Sequence, residues 1–345
     1  MSMRGIPLTR CQFLMPFADI HSEIGGPTEA LLQKFRLPVA LEEKLDHYIP
    51  ILRAIQFAEA AQRSQGISDM GFLASQRLQF CHLSERLRRI IHSSPTLLVA
   101  LQQTCRHGQS EDTNLNMWLE FHDGHLRVCT KLLGTAGLQH LEHSQWLQNL
   151  FMIQIVRQFV GPGWAPATMG FEARYVPGHE PQAFWSNTRF LSAQDASWID
   201  VPVAYLSLPP LGHEPPPGPS AEEEGPPVSD LIGMLQMMLP SYLDETIPSI
   251  SEIAEMANIS VRSFQRKLAS VALTYSDLVD GVRFENAKKL LRDTDAKIID
   301  VALSLGYSEP ASFTRAFRRL SGVAPRQYRD TSRSQTSGII LTPVT

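Results

Sequence analysis

The chain has 345 residues, a formal net charge of −4 and a pI near 6.3. Two domains are expected at this length, and a hydrophobic share of 43% can fill two cores. The mild acidity excludes a polybasic coat that binds nucleic acid over its whole surface, so any such binding must be local and oriented.

No run of about 18 uncharged apolar residues occurs, so no membrane span is expected. The first residues lack the apolar core and small-residue cleavage site of a secretory signal, and a cytoplasmic location is expected. The four cysteines (Cys11, Cys81, Cys105, Cys129) are far apart with no CxxC. That spacing suits a reducing compartment and offers no zinc cluster. The histidines form no HxH or HxxxH pair, and no P-loop, GxSxG or Rossmann glycine pattern appears. Neither a metal, a cofactor nor an enzymatic activity is therefore expected.

In chain order, Cys11 to Phe17 predicts a short apolar strand or arm. Residues 31–35 predict a helix opened by Thr28 and Glu29, and Tyr48 to Gln65 a stronger one with Ile51, Leu52, Ile55 and Ala58 on one face. Further helices are expected over Met70 to Ile91 and Pro95 to Arg106. Arg86, Arg88 and Arg89 then fall at a helix end, where cations are favoured. From residue 116 the period changes to two. Residues 116–121 and 125–132 alternate around Asp123-Gly124, a hairpin signal. A helix over Trp146 to Val160, a strand over 168–176, a helix over Pro181 to Thr188 and strands within 189–202 complete an α+β half. Trp118, Trp164, Trp185, Trp198 and Arg174 are candidates to line an effector cavity. Residues 213–229, rich in Pro and Glu, read as an extended linker.

Beyond the linker, Ser229 is expected to cap a helix over Asp230 to Leu239. A repeat then dominates. Ile250, Ile253, Ala254, Ala257, Asn258 and Ser260 recur 48 residues later as Ile298, Val301, Ala302, Leu305, Gly306 and Ser308. Phe264, Arg266 and Leu268 recur 49 later as Phe313, Arg315 and Phe317. Each copy reads helix, turn, helix. Ser249 with Glu252 forms a capping box. Asn258 and Gly306 suit a left-handed helix stop. Ser260 and Ser308 suit N-caps, and Pro310 suits a first helical turn. Cations and acids balance over 228–330, yet 260–271 holds Arg262, Arg266 and Lys267 with no acid. Likewise, 310–329 holds Arg315, Arg318, Arg319, Arg326 and Arg329 with no acid. That is a local footprint for phosphate. Tyr275 to Leu291 predicts a bridging helix of about 25 Å, against about 34 Å between successive major-groove faces.

The stretch from Ala302 to Arg329, ALSLGYSEPASFTRAFRRLSGVAPRQYR, with SVRSFQRKLA from Ser260, resembles the DNA-binding domain of the AraC/XylS family of transcriptional regulators. Two departures stand out: Ala272 where the family often has Gly, so that this turn must close without a positive φ, and Gly281 inside the bridging helix. More weakly, residues 1–212 resemble the family's arabinose-binding-like N-terminal domain, through their helical first third, GWAPATMGFEARYV and VPVAYLSLPP.

The resemblance implies an α+β sensor domain (1–212), the linker (213–229), an all-α domain with two helix-turn-helix units joined by a linker helix (230–330) and a flexible tail (331–345). It implies an activator of transcription that binds double-stranded promoter DNA, responds to a small-molecule effector, contacts RNA polymerase and forms a homodimer. Position in the motif assigns base reading to Arg262, Gln265, Arg266, Ser312, Thr314 and Arg315. Arg suits guanine and Gln adenine. Lys267, Ser308, Arg318 and Arg319, with backbone N–H groups at 308–310, are assigned to phosphates. Two alternatives remain open: a DNA-repair alkyl acceptor carrying this domain, and an architectural DNA binder with no effector.

Overall fold

The computed structural model describes residues 5–135, 138, 140–212 and 230–337. It divides into two units, Met1–Asp230 and Leu231–Thr345. Residues 213–229, where the linker and the Ser229 cap are expected, lie outside the described residues.

The first unit runs β1 (Leu8–Arg10), α1 (Met15–Glu23), α2 (Thr28–Lys34), β2 (Tyr48–Pro50), α3 (Ile51–Gln65), α4 (Met70–Gln76), α5 (Glu85–His92), α6 (Leu97–His107), β3 (Leu115–His122) and β4 (His125–Leu132). It continues α7 (Glu142–Val160), β5 (Thr168–Gly170), α8 (His179–Phe184), β6 (Arg189–Leu191) and β7 (Ser197–Pro202). β1 and β2 form a two-stranded antiparallel ribbon. The larger sheet has the order β3-β4-β7-β5-β6, with only β5 and β6 parallel. The expected hairpin is present: Asp123 (φ 46°) and Gly124 (φ 77°) turn β3 onto β4. Two consecutive positive φ values match the twist of the flanking strands.

Four expectations are corrected. Cys11 to Phe17 is no strand; a 3-10 turn at Cys11–Phe13 leads into α1, with Pro16 in its first turn. Tyr48 to Pro50 is strand, because it pairs with β1 before α3 begins. The helix expected over 70–91 is broken in two. Ser84 takes the Leu87 N–H and starts a new helix behind the turn that follows α4. The strand over 168–176 stops at Gly170. Beyond it, Gln145 takes the Ala173 N–H and the Tyr175 hydroxyl donates to Asp69, while both aromatic rings, Phe171 and Tyr175, pack on Trp146. α7 is buried along most of its length, from Trp146 to Phe159, and its apolar stripe is the axis of the core.

The second unit is all helix: α9 (Leu231–Met238), a 3-10 turn (Leu239–Tyr242), α10 (Ile250–Met256), α11 (Val261–Ala269), α12 (Tyr275–Asp293), α13 (Ile298–Ser304), α14 (Pro310–Ser321) and α15 (Pro325–Ser337). The flexible tail expected from residue 331 is corrected for its first part, since α15 continues to Ser337. Arg333 there bonds the Asp295 carboxylate and the Thr294 carbonyl, which holds that turn of helix down. Among the described residues no helix is long and apolar enough to cross a membrane.

Three helices of this unit end alike. The N–H groups of Ile259, Leu273 and Tyr307 reach back five residues to Ala254, Leu268 and Ala302 at 2.9–3.0 Å. Those bonds require a left-handed residue just before the donor. Asn258 (φ 52°) and Gly306 (φ 76°) supply it as expected. Ala272 supplies it too, at φ 57°, which corrects the expectation that this turn closes without a positive φ. The closing bonds outweigh the steric cost at Ala272. Ala272→Gly should therefore stabilise this unit by about 1 kcal/mol. Equilibrium urea unfolding followed by circular dichroism checks it, and a loss of stability would contradict the strain.

α12 runs unbroken through Gly281, and a Cβ built there meets nothing within 4 Å. Gly281→Ala should add about 1 kcal/mol by the same measurement. A destabilised variant would mean that the glycine serves a contact rather than only loosening the helix.

Candidate functional site

In the first repeat, Ser249 accepts from the Glu252 N–H while the Glu252 carboxylate takes the Ser249 N–H. Ile253 and Ala254 of α10 are buried. Ser260 then caps α11 through the Ser263 N–H. Phe264 and Leu268 face inward, and the Phe264 ring lies 6.1 Å from Tyr275 at the start of α12. Arg262, Gln265, Arg266 and Lys267 are exposed. Spacings of three and four residues put Arg262, Gln265 and Arg266 on one face.

The second repeat follows the same plan with local differences. Val301 and Ala302 are buried in α13, Phe313 and Phe317 in α14. Phe317 meets Phe284 of α12 at 5.2 Å. Arg315 and Arg318 are exposed, and the Arg315 guanidinium donates to Ser312 Oγ at 3.2 Å. Ser308 does not cap α14, contrary to expectation. Glu309 occupies the N-cap without a side-chain bond, because Pro310 sets the first helical position one residue later than in the first repeat. Pro310 also has no N–H, so the assignment of backbone donors over 308–310 shrinks to Ser308 and Glu309. The Glu309 carboxylate stands at the same helix start and disfavours a phosphate there.

Other assigned residues are occupied within the fold. Thr314 is half-buried and its hydroxyl donates to the Pro310 carbonyl at 3.0 Å. Arg319 pairs with Asp280 of α12 at 2.9 Å. Arg329, part of the basic run, turns inward to the carbonyls of Leu291 and Ala296. Sequence reasoning missed Arg283. It donates to the Leu305 carbonyl at 3.1 Å and lies 4.9 Å over the Tyr307 ring, and so ties the second turn to α12. Its position on α12 opposite the Leu305 carbonyl has no signature in one sequence.

In the first unit the expected aromatic cavity does not form. Trp118 bonds its neighbour Glu120 on β3, and Trp198 is buried under Arg127 at 4.0 Å. Trp185 is buried beside Arg157. Trp164 packs at the core edge, its carbonyl bound to Arg157, and Arg174 lines a separate depression with His140 and Glu142. His140, Glu142 and His143 bring three potential metal-ligand atoms within 4.8 Å of one another, a proximity that the HxxH spacing did not suggest.

A cavity of about 60 Å³ lies instead between the start of the chain, α3 and α7. Phe13, Phe17, Leu147 and Phe151 contribute apolar wall, and Asp112, Gln148 and His143 contribute buried polar groups. Neighbouring Glu111 is neutralised by Arg10 at 3.0 Å, and Arg10 also pairs with Asp46 and donates to the His82 carbonyl.

The family model for a helix-turn-helix domain matches residues 253–331. The model for the arabinose-binding domain of AraC transcription regulators, N-terminal, matches residues 25–209. The ornithine utilization regulator of Pseudomonas aeruginosa is 23% identical over 337 residues, 94% of this chain and 96% of its own length. The transcriptional regulator VirS of Mycobacterium tuberculosis is 23% identical over 346 aligned positions, 93% and 96% of the two chains. The melibiose operon regulatory protein of Escherichia coli is 30% identical over 109 residues, 31% of this chain and 34% of its own.

Proposed function

We propose a mechanism that proceeds from one premise: the chain belongs to the AraC family of transcription regulators. It is a DNA-binding regulator whose second unit carries two helix-turn-helix repeats. α11 and α14 enter successive major grooves of promoter DNA. Arg262, Gln265 and Arg266 read base edges in one groove, Ser312 and Arg315 in the other. The Ser312 bond orients the Arg315 fork before contact, which lowers the entropic cost of a bidentate guanine contact. Thr314 keeps only its acceptor lone pairs for DNA. Lys267 and Arg318 hold phosphates; Arg319 reaches one only by leaving Asp280.

The observation that carries this reading is the repeat. α11 buries Phe264 and Leu268, α14 buries Phe313 and Phe317, and both helices leave arginines outward. The first unit senses a small molecule and forms the homodimer, and the bound regulator recruits RNA polymerase as an activator. Relatives named for ornithine utilization and for the melibiose operon support a small metabolite as effector. The chain performs no catalysis and acts in the cytoplasm, where its DNA target lies.

Selection of bound fragments from a random duplex library tests the reading. The expected result is an enriched site with two elements about 10 base pairs apart. Binding without enrichment would favour an architectural DNA binder.

A further inference from the structure

The cavity in the first unit has a chemistry that selects its ligand. Its walls are mostly apolar, yet three side chains around it hold polar atoms with no hydrogen-bond partner. They are Asp112 Oδ1, both amide atoms of Gln148 and both ring nitrogens of His143. Exposure of these residues is 7%, 6% and 2%. A buried polar group left unpaired costs about 1–3 kcal/mol, more when charged. Three around one cavity are a cost that a ligand removes. An apolar pocket with a few convergent polar groups is the ordinary form of a small-molecule site.

The charge decides the class. No Lys or Arg lines this cavity. Burial pushes Asp112 up to about 7, so its carboxyl is poised between its two forms. Glu111 raises it further; Arg10 and the Thr9 hydroxyl act the other way. An anion would meet no compensating cation here, whereas an ammonium group would complete the Asp112 carboxylate. The volume also limits size. One water needs roughly 10–15 Å³ by the same measure, so about 60 Å³ admits on the order of four to six such atoms.

We propose that this cavity is the effector site and takes a small organic ammonium ion. Asp112 holds the ammonium, and Gln148 and His143 hold a neutral polar group of the same molecule. The proposal rests on the reading of the first unit as the effector-sensing domain.

The test uses the full chain with methyl-labelled methionine and three probes of six non-hydrogen atoms each: 4-aminobutan-1-ol, butane-1,4-diol and 3-hydroxypropanoate. Met117 and Met152 line the cavity and report entry. The expected result is saturable movement of both methyl signals, with the amine bound at least about tenfold tighter than the diol, the worth of one charge-assisted hydrogen bond. The carboxylate should bind more weakly than the diol. Asp112→Asn keeps the shape, removes a desolvated charge and should reduce the amine preference to within about twofold. If that variant does not fold, the pH dependence of the native chain reads the same carboxyl. The amine preference should rise about tenfold from pH 6 to pH 8 as Asp112 ionises. Equal binding of amine and diol, a preference that survives Asp112→Asn or is flat with pH, or silent methionines would each overturn the proposal. Library DNA binding is measured on the same sample. DNA binding without amine preference overturns the ligand class alone. Amine binding in a chain that binds no DNA overturns the effector role and, with it, the regulator reading.

Discussion

Gly306→Ala loses about 3 kcal/mol of stability in the second unit and abolishes DNA binding. Two costs combine. At φ 76° an alanine carries left-handed strain, worth roughly 1–2 kcal/mol. Its Cβ would also stand 2.0 Å from the Leu243 carbonyl oxygen, a backbone atom that cannot rotate away. Relief requires the α13 to α14 turn to part from the 3-10 segment ahead of it, and that movement shifts α14. All five tryptophans lie in the first unit, at 118, 146, 164, 185 and 198. Tryptophan fluorescence therefore reports that unit, and circular dichroism reports both. The variant should show an early urea transition by dichroism with an unchanged fluorescence transition. Stability within about 0.5 kcal/mol of the native chain would show that Leu243 yields. At the equivalent turn Asn258 holds φ 52°. Asn258→Gly should be nearly neutral, since both residues tolerate that conformation.

Arg266→Ala and Arg315→Ala each cost about 1–3 kcal/mol on the preferred DNA site, and they relax specificity at base pairs about one helical turn apart. Both side chains are exposed at matching points of the repeat. Arg318→Ala behaves differently. A lost phosphate contact weakens all sequences alike and lowers the salt slope by about one. Arg319→Ala should have a smaller effect on DNA than Arg318→Ala, because its guanidinium already serves Asp280. Binding of each variant to a randomised site library at two salt concentrations separates these outcomes. Were both arginine variants to relax the same base pairs, two helices in adjacent turns could not be the mode of reading.

Much of the second unit was legible in the chain itself. The capping box at Ser249, the stop at Asn258 and the stop at Gly306 depend on a few neighbouring residues, and the structure contains each one. The inward Phe264, Leu268, Phe313 and Phe317 follow from helical spacing, which is also local. Ala272 marks the limit of such reasoning. Its residue type argues against a positive φ, but the bonds closing α11 decide the conformation.

What tertiary structure decided is where each charge and ring goes once distant segments meet. Arg319 and Arg329 look like DNA contacts in a basic run, yet Asp280, Leu291 and Ala296 claim them. Residues 168–176 alternate like a strand, but packing on Trp146 bends most of that stretch out of the sheet. The five tryptophan and arginine candidates scatter for the same reason. The cavity draws instead on Asp112, Gln148 and His143, brought together from the turn before β3 and from α7. Helical and strand periods encode which face of an element is buried; they carry no information about which distant face it is buried against, and that pairing alone creates a pocket or occupies an arginine.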